Sequence, residues 1–97
     1  MSKVKIKFSM MFKKITHKED LEIEIGPKEN IRTLFEKLSK MFGSEFCEYI
    51  YDSQSEKFKS VTVLKNGTNI FILEGIKTQV QAGDYIVVLP PVAGGRC

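Results

Sequence analysis

The residues best placed for chemistry stand at the end of the chain, where Pro90-Pro91-Val92-Ala93-Gly94-Gly95 is followed by Arg96-Cys97. Glycine has no Cβ, so a tail of this kind can thread a narrow channel and bring its backbone against a reacting group where a larger residue would clash. Pro90 and Pro91 cannot donate to a sheet ladder, so a strand running into them must stop, and they bias the chain towards an extended exit. A flexible glycine-rich end is the alternative reading of the pair. Its position, directly after a terminal strand and two prolines, favours a presented tail.

Other chemistry-bearing residues are sparse. Cys47 and Cys97 are too far apart for a CxxC pair and too few for a zinc site. Cys47, between Phe46 and Tyr49, reads as a small buried hydrophobe, and Cys97 has only Arg96 beside it to lower its pKa. His17 lies among lysines with no second ligand or acid nearby, as a solvated loop residue does. These three cannot converge as a ligand set, so no metal or cofactor is expected to bind stably. The sequence holds no GxSxG, HExxH, Walker loop, paired catalytic carboxylates or Cys-His signature, so intrinsic catalysis is not expected.

The tail must be carried by a folded body, and the hydrophobic pattern describes one. Val4, Ile6, Phe8 and Met10 alternate with Lys3, Lys5, Lys7 and Ser9, which predicts a half-buried strand over 3–12. Residues 19–25 repeat the alternation with acidic residues outward. Basic and acidic outer faces suit antiparallel neighbours, opposite charges across strands being worth about 0.2–1 kcal/mol per pair. Residues 13–18 would be the hairpin connection.

After Gly26-Pro27, Asn30 is a good N-cap, and Ile31, Leu34, Phe35, Leu38, Met41 and Phe42 recur at helical spacing until Gly43. Residues 44–58 have no clean period, and 51–56 read as a polar loop. Strands at 60–65 and 69–73 meet at Asn66-Gly67, a type I′ hairpin signal. Tyr85-Ile86-Val87-Val88-Leu89 is apolar on both faces, as suits a central strand or one whose outer face meets a partner.

The order β-β-α-β-β-β predicts an α+β, β-grasp domain over 1–89, with first and last strands parallel at the centre of a mixed sheet, and a tail over 90–97. Val4, Ile6, Phe8, Leu21, Ile23, Leu34, Phe35, Leu38 and Val87 are the expected core.

Composition narrows the partners. With 97 residues, 42% hydrophobic, the chain can bury one core, and any cleft would be shallow. The net charge of +3 comes from 15 Lys and Arg interleaved with 12 Asp and Glu, without a nucleic-acid-binding motif, so no nucleic acid is expected. No apolar run approaches the roughly 20 residues of a spanning helix, and the N-terminus lacks the grouped regions of a signal peptide, so no membrane association and a cytoplasmic location are expected.

The stretch Asn66-Gly67, Ile70, Leu73-Glu74-Gly75-Ile76-Lys77-Thr78 and Ala82-Gly83-Asp84 through Gly94-Gly95 resembles the MoaD/ThiS ubiquitin-like sulfur-carrier family. The motifs that carry the resemblance cover residues 61–95, while over 1–60 it rests on element order and strand pattern. The Pro-Pro pair is similar to that of the molybdopterin synthase small subunit, and the length between helix and third strand resembles longer, archaeal-style members.

The resemblance implies a carrier whose Gly95 carboxylate is adenylated with ATP by an E1-like activating enzyme and converted to a thiocarboxylate. Gly94, Ala93, Val92, Pro91 and Pro90 would give access to the enzyme. The sulfur acceptor it implies is the molybdopterin synthase large subunit or another acceptor. One departure stands out: Arg96-Cys97 lock the Gly95 carboxylate in a peptide bond. Some carriers of the family are made as precursors trimmed by a processing metalloprotease, which is the leading explanation. Conjugation through Gly95 to lysines as a protein modifier, and a non-catalytic interaction domain with an unprocessed tail, are the alternatives.

Overall fold

The computed structural model describes residues 2–59 and 61–90. β1 (Lys3–Phe8) buries Val4, Ile6 and Phe8 and exposes its three lysines, the alternation expected of a strand with one covered face. β2 (Asp20–Glu24) runs antiparallel to it, in a register that sets Lys3 opposite Glu24, Lys5 opposite Glu22 and Lys7 opposite Asp20. The basic and acidic outer faces therefore meet pair by pair.

The link between these strands is not a simple hairpin. The chain leaves β1 at Phe8, makes a 3-10 turn over Met10–Phe12 and then a short helix, α1 (Lys13–Thr16). Phe12 and Ile15 turn into the core, and this burial is what converts the expected loop into helical structure. His17 closes α1 in the left-handed region at φ 62°, exposed as expected.

α2 (Ile31–Phe42) begins and ends where its signals place it. The Asn30 side chain accepts from the Thr33 amide at 2.9 Å, while the Thr33 hydroxyl accepts from the Asn30 amide at 3.0 Å. Two otherwise unpaired helix-end donors are thereby satisfied. Ile31, Leu34, Phe35 and Leu38 are fully buried against the sheet.

Residues 44–58 hold more order than their pattern predicts. They form α3 (Ser44–Tyr49), β3 (Tyr51–Asp52) and β4 (Lys57–Phe58), the two strands paired as a small hairpin. Tyr51 is fully buried and packs with Phe35 and Phe58 at centroid distances of 5.8 and 4.8 Å. The segment expected to be a polar loop thus begins with a core aromatic.

β5 (Thr62–Lys65) and β6 (Thr68–Asn69) meet at Asn66-Gly67, whose φ angles of 51° and 89° are both positive, as the expected turn type requires. β6 is shorter than the expected strand over 69–73, because the chain turns away after Asn69. β7 (Tyr85–Leu89) pairs in parallel with β1 and antiparallel with β5, giving the sheet order β2-β1-β7-β5-β6. The mixed sheet over one main helix, with first and last strands parallel at its centre, is the β-grasp arrangement.

Two core expectations need correction. Val87 is not a core residue: Ile86 and Val88 are fully buried, so Val87 points to the opposite, open face of the sheet. Leu21 is half-buried and packs against the core from its edge.

Candidate functional site

β7 is the strand that leads into the tail, and both of its sides are tied. On one side Lys5 to Phe8 run parallel to Tyr85 to Val88, and on the other Thr62 to Lys65 run antiparallel to Leu89 to Ile86. Its start is fastened as well. The Asn66 side chain donates to Asp84 Oδ1 at 3.0 Å and accepts from the Tyr85 amide at 2.9 Å, while Asp84 Oδ2 accepts from the Gln81 amide at 2.7 Å. Lys65 Nζ adds an ion pair with Asp84 at 3.7 Å. A strand pinned at its beginning and along both edges holds its last residue, and hence the tail root, in one place.

Asn66 was legible in the sequence only as a turn former. Its clasp on Asp84 and Tyr85, 18 and 19 residues away, joins two turns whose pairing only the sheet register discloses.

The outer face of β7 carries Tyr85, Val87 and Leu89. Val87 lies between Lys7 and Leu64, and Leu89 lies opposite Thr62. Leu64, Val87 and Leu89 therefore form a half-exposed apolar strip along the open sheet face, bordered by the lysines of β1 and, beyond them, the carboxylates of β2. Hollows on this surface are shallow; the one beside the strip is lined by Lys5, Lys18, Asp20, Leu21, Glu22 and Tyr85.

Pro90 is half-buried at the point where β7 ends. Pro91, Val92, Ala93, Gly94 and Gly95, the remaining expected site residues, lie outside the described residues, as do Arg96 and Cys97. Cys47 is half-buried rather than enclosed, and lines a polar hollow with Ser44, Glu48, Asp52 and Lys59. The buried place expected for it is taken by its neighbour Phe46, which is fully enclosed in the core. Among the described residues, no group of three or more His, Cys, Asp or Glu side chains is gathered closely enough to hold a metal ion. No described helix is long and apolar enough to cross a membrane.

Perturbed ionisable groups fall away from the tail root. Glu29 is buried, which alone would raise its pKa, but the Gly26 amide, the Thr33 hydroxyl and the Lys37 ammonium outweigh that and hold it below the usual carboxylate value. Lys37 Nζ reaches Glu29 Oε1 at 3.0 Å and the Glu24 carbonyl at 3.2 Å, bracing the chain between β2 and α2. The Tyr51 hydroxyl is pushed up by burial and by the nearby Glu56 and Glu36 carboxylates. Both serve the framework, since neither borders the strip.

Comparison with known proteins decides the lineage. The model of the ThiS family matches residues 6–95, a span that ends on the second glycine of the tail. The chain belongs to the ThiS family. Its relatives include a candidate sulfur carrier protein from Archaeoglobus fulgidus, 34% identical over 76 residues that cover 78% of this chain and 84% of the relative. Among solved structures of this fold, a candidate molybdopterin converting factor subunit 1 from Pyrococcus furiosus is 26% identical, with a TM-score of 0.75, over 95% of this chain and all (100%) of the other. Small archaeal modifier protein 1 from Methanosarcina acetivorans is 28% identical, with a TM-score of 0.74, over 98% of each chain. The ThiS-family chain is thus a β-grasp, ubiquitin-like protein of the sulfur-carrier and small-modifier group, and the expected MoaD/ThiS membership is borne out.

Proposed function

We propose that this ThiS-family chain is a sulfur carrier that works through the carboxylate of Gly95 after Arg96-Cys97 are removed. The observation that carries the reading is the family match that runs to residue 95 and stops before the two-residue extension. The tail so delimited follows directly from a central strand of the sheet, paired along both edges.

A carboxylate is a poor acyl electrophile, so it must be activated. A Gly95 oxygen would attack the α-phosphorus of ATP in an adenylating enzyme, releasing pyrophosphate and leaving an acyl adenylate. A sulfide-level nucleophile would then attack the acyl carbon and expel AMP, giving the thiocarboxylate. The chain contributes no catalytic group to either step. It supplies a fixed tail root, a glycine pair that admits the enzyme's close approach, and the Leu64, Val87 and Leu89 strip on which a partner docks. Transfer of sulfur to a pterin precursor for molybdenum or tungsten cofactor synthesis, through a molybdopterin synthase large subunit, is the acceptor reading favoured by the Pyrococcus furiosus likeness.

A second reading has its own support. The likeness to the Methanosarcina acetivorans modifier protein fits conjugation of the activated Gly95 to lysines. Both readings share the adenylation step and part afterwards.

The test compares the chain ending at Gly95 with the full chain, each incubated with the organism's adenylating enzyme, ATP and a sulfur source. The shorter chain should support ATP–pyrophosphate exchange and the full chain should not. Sulfur transfer to a pterin precursor then supports the carrier, and an isopeptide ladder on cellular proteins supports the modifier. If the shorter chain gives no exchange, both fail and a non-catalytic interaction domain takes their place.

A further inference from the structure

Asn66 is the one asparagine of the chain that precedes a glycine; Asn30 and Asn69 each precede isoleucine. Asparagine is chemically labile because the main-chain nitrogen of the next residue can attack its carboxamide carbon, and a glycine there has no Cβ to obstruct the attack. Asn66 and Gly67 are both exposed to water, and a Cβ built at Gly67 would meet nothing within 4 Å. The Gly67 amide donates to no backbone carbonyl among the described residues. Nucleophile, electrophilic carbon and water thus share one open turn.

The reaction needs no other partner. The Gly67 nitrogen gives up its proton to solvent and bonds to Asn66 Cγ, the Cγ–Nδ2 bond breaks, and Nδ2 takes a proton from water and leaves as ammonia. A five-membered succinimide remains. Water then adds to one of its two carbonyl carbons. Breaking the new bond from Gly67 nitrogen to Cγ gives an aspartate, while breaking the original peptide bond gives an isoaspartyl link through Cβ and Cγ. The net change is the exchange of ammonia for water, without oxidation or reduction.

The folded turn opposes ring closure. Closure requires the carboxamide to swing over its own main chain and the backbone between Asn66 and Gly67 to rotate, whereas φ angles of 51° and 89° hold these two residues in the tight hairpin turn. The carboxamide is also engaged at both ends, Nδ2 donating to Asp84 Oδ1 at 3.0 Å and Oδ1 accepting from the Tyr85 amide at 2.9 Å. The Asn66 amide donates to the Tyr85 carbonyl at 2.8 Å besides. Both side-chain bonds must break before Cγ meets its nucleophile.

Neither product rebuilds the clasp. An aspartate at 66 can still accept from the Tyr85 amide, but where Nδ2 donated it sets a second carboxylate oxygen against Asp84 Oδ1. Two carboxylates at hydrogen-bond distance repel, and the Lys65 ammonium, 3.7 Å from Asp84 Oδ2, balances only one of them. The isoaspartyl product adds one atom to the main chain of a two-residue turn, which displaces the register of β5 against β6.

We propose that Asn66 is a deamidation site guarded by its clasp on Asp84 and Tyr85, so that opening of the 66–67 turn converts it to a carboxylate that no longer fastens β7. Every opening captured in this way leaves a permanent change in the strand that leads to Pro90. The substrate is the chain itself and the co-reactant is water, so the inference stands apart from the reading of Gly95.

The full chain, incubated at mildly alkaline pH with and without urea, tests this. Peptide mapping reads the gain of about 1 Da at residue 66, and enzymatic isoaspartyl methylation reads the second product. The folded chain should react at least about tenfold more slowly than the urea-unfolded one. Asp84→Ala deprives Nδ2 of its acceptor and should raise the rate about threefold or more while circular dichroism shows the chain folded. In the parent alone, through sub-denaturing urea, the rate should follow hydrogen exchange at the Asn66 and Tyr85 amides and not at the α2 amides, a comparison that does not depend on the variant's folding. Asn66→Asp should speed exchange of the Tyr85 amide, and of the Lys5 amide that donates to the Asp84 carbonyl, about tenfold or more with α2 protection retained. Equal folded and unfolded rates, a folded Asp84→Ala chain that reacts like the parent, or a rate that follows α2 exchange would remove the guard and overturn the inference. An Asn66→Asp chain with the parent's exchange at Tyr85 would remove its consequence and overturn it equally.

Discussion

The amide of Ser9 donates to the carbonyl of Val88 at 2.9 Å, so the parallel pairing of β1 with β7 continues past the end of β1 to the penultimate residue of the strand that leads into the tail. Nothing along β7 can slip without breaking this bond and the antiparallel ladder to β5 on its other edge. The register fixes two things together: where the tail starts, and which side chains of β7 face the core.

That facing gives the first prediction. Val88→Ala removes two buried methyl groups and should cost about 2 kcal/mol, whereas Val87→Ala on the open face should cost well under about 1 kcal/mol. Val87→Ala should instead weaken partner binding, through the strip it shares with Leu64 and Leu89. Leu38→Ala, beneath the sheet and fully buried, should cost about 2–5 kcal/mol. Chemical denaturation of the three variants checks the set; equal midpoints for Val87→Ala and Val88→Ala would contradict the register.

Asn30→Ala should lower stability by about 1 kcal/mol, because the Thr33 amide loses its side-chain acceptor, while the Thr33 hydroxyl keeps its bonds to the backbone of residue 30. Asn30→Asp keeps the acceptor and should recover most of that loss in the same melts. A full-sized loss in the Asp variant would mean that the cap is not the cause.

Glu29 makes stability depend on acid. Its carboxyl is held below its ordinary value in the folded chain, so the stabilisation is fully present above the unfolded value of about 4.3 and is lost as pH falls through the lower folded value. Glu29→Gln should cost about 1 kcal/mol at neutral pH, Lys37 being partly solvated, and should flatten the acid limb of the stability profile. An unchanged profile in that variant would assign the acid dependence to other carboxylates.

Much of this fold could be read from the sequence because local signals agreed with one another. Lysine alternation in β1 met acidic alternation in β2, Asn30 and Gly43 bounded α2, and Asn66-Gly67 marked a turn with both φ angles positive. Val87 was misassigned because Tyr85 to Leu89 is apolar at every position, and a period of two has no parity to read in such a run. Register against Ile6, which is opposite Ile86, supplies the missing parity. Met10 read as a continuation of β1, but burial of Phe12 and Ile15 bends the chain into a 3-10 turn and α1. Tyr51 looked like the start of a polar loop because six polar or charged residues follow it, yet its ring fills the space beside Phe35.

The candidate site was legible in a different way. The tail residues announced themselves by type and order, and the family match extends over Gly94 and Gly95. The clasp at the start of β7 did not: Asn66 is far in sequence from Asp84 and Tyr85, and only the strand order brings the two turns together.

Protein purified without added metal is expected to contain no stoichiometric zinc. Cys47 faces a hollow shared with Ser44 and Asp52, and His17 is exposed at the end of α1, so neither has a set of convergent ligands. Elemental analysis at one zinc per chain would contradict this.

The central claim is that Gly95 becomes the chain terminus and carries sulfur, and intact-mass spectrometry of the protein isolated from its own organism tests it most directly. The account predicts a chain lacking Arg96 and Cys97, with a fraction about 16 Da heavier, the mass gained when one carboxylate oxygen is replaced by sulfur on the acyl carbon. Treatment with a thiol-selective alkylating reagent should add one more adduct to that fraction than to the rest, Cys47 being common to both. A population consisting only of the full chain, with Arg96 and Cys97 in place and no sulfur-bearing species, would contradict it.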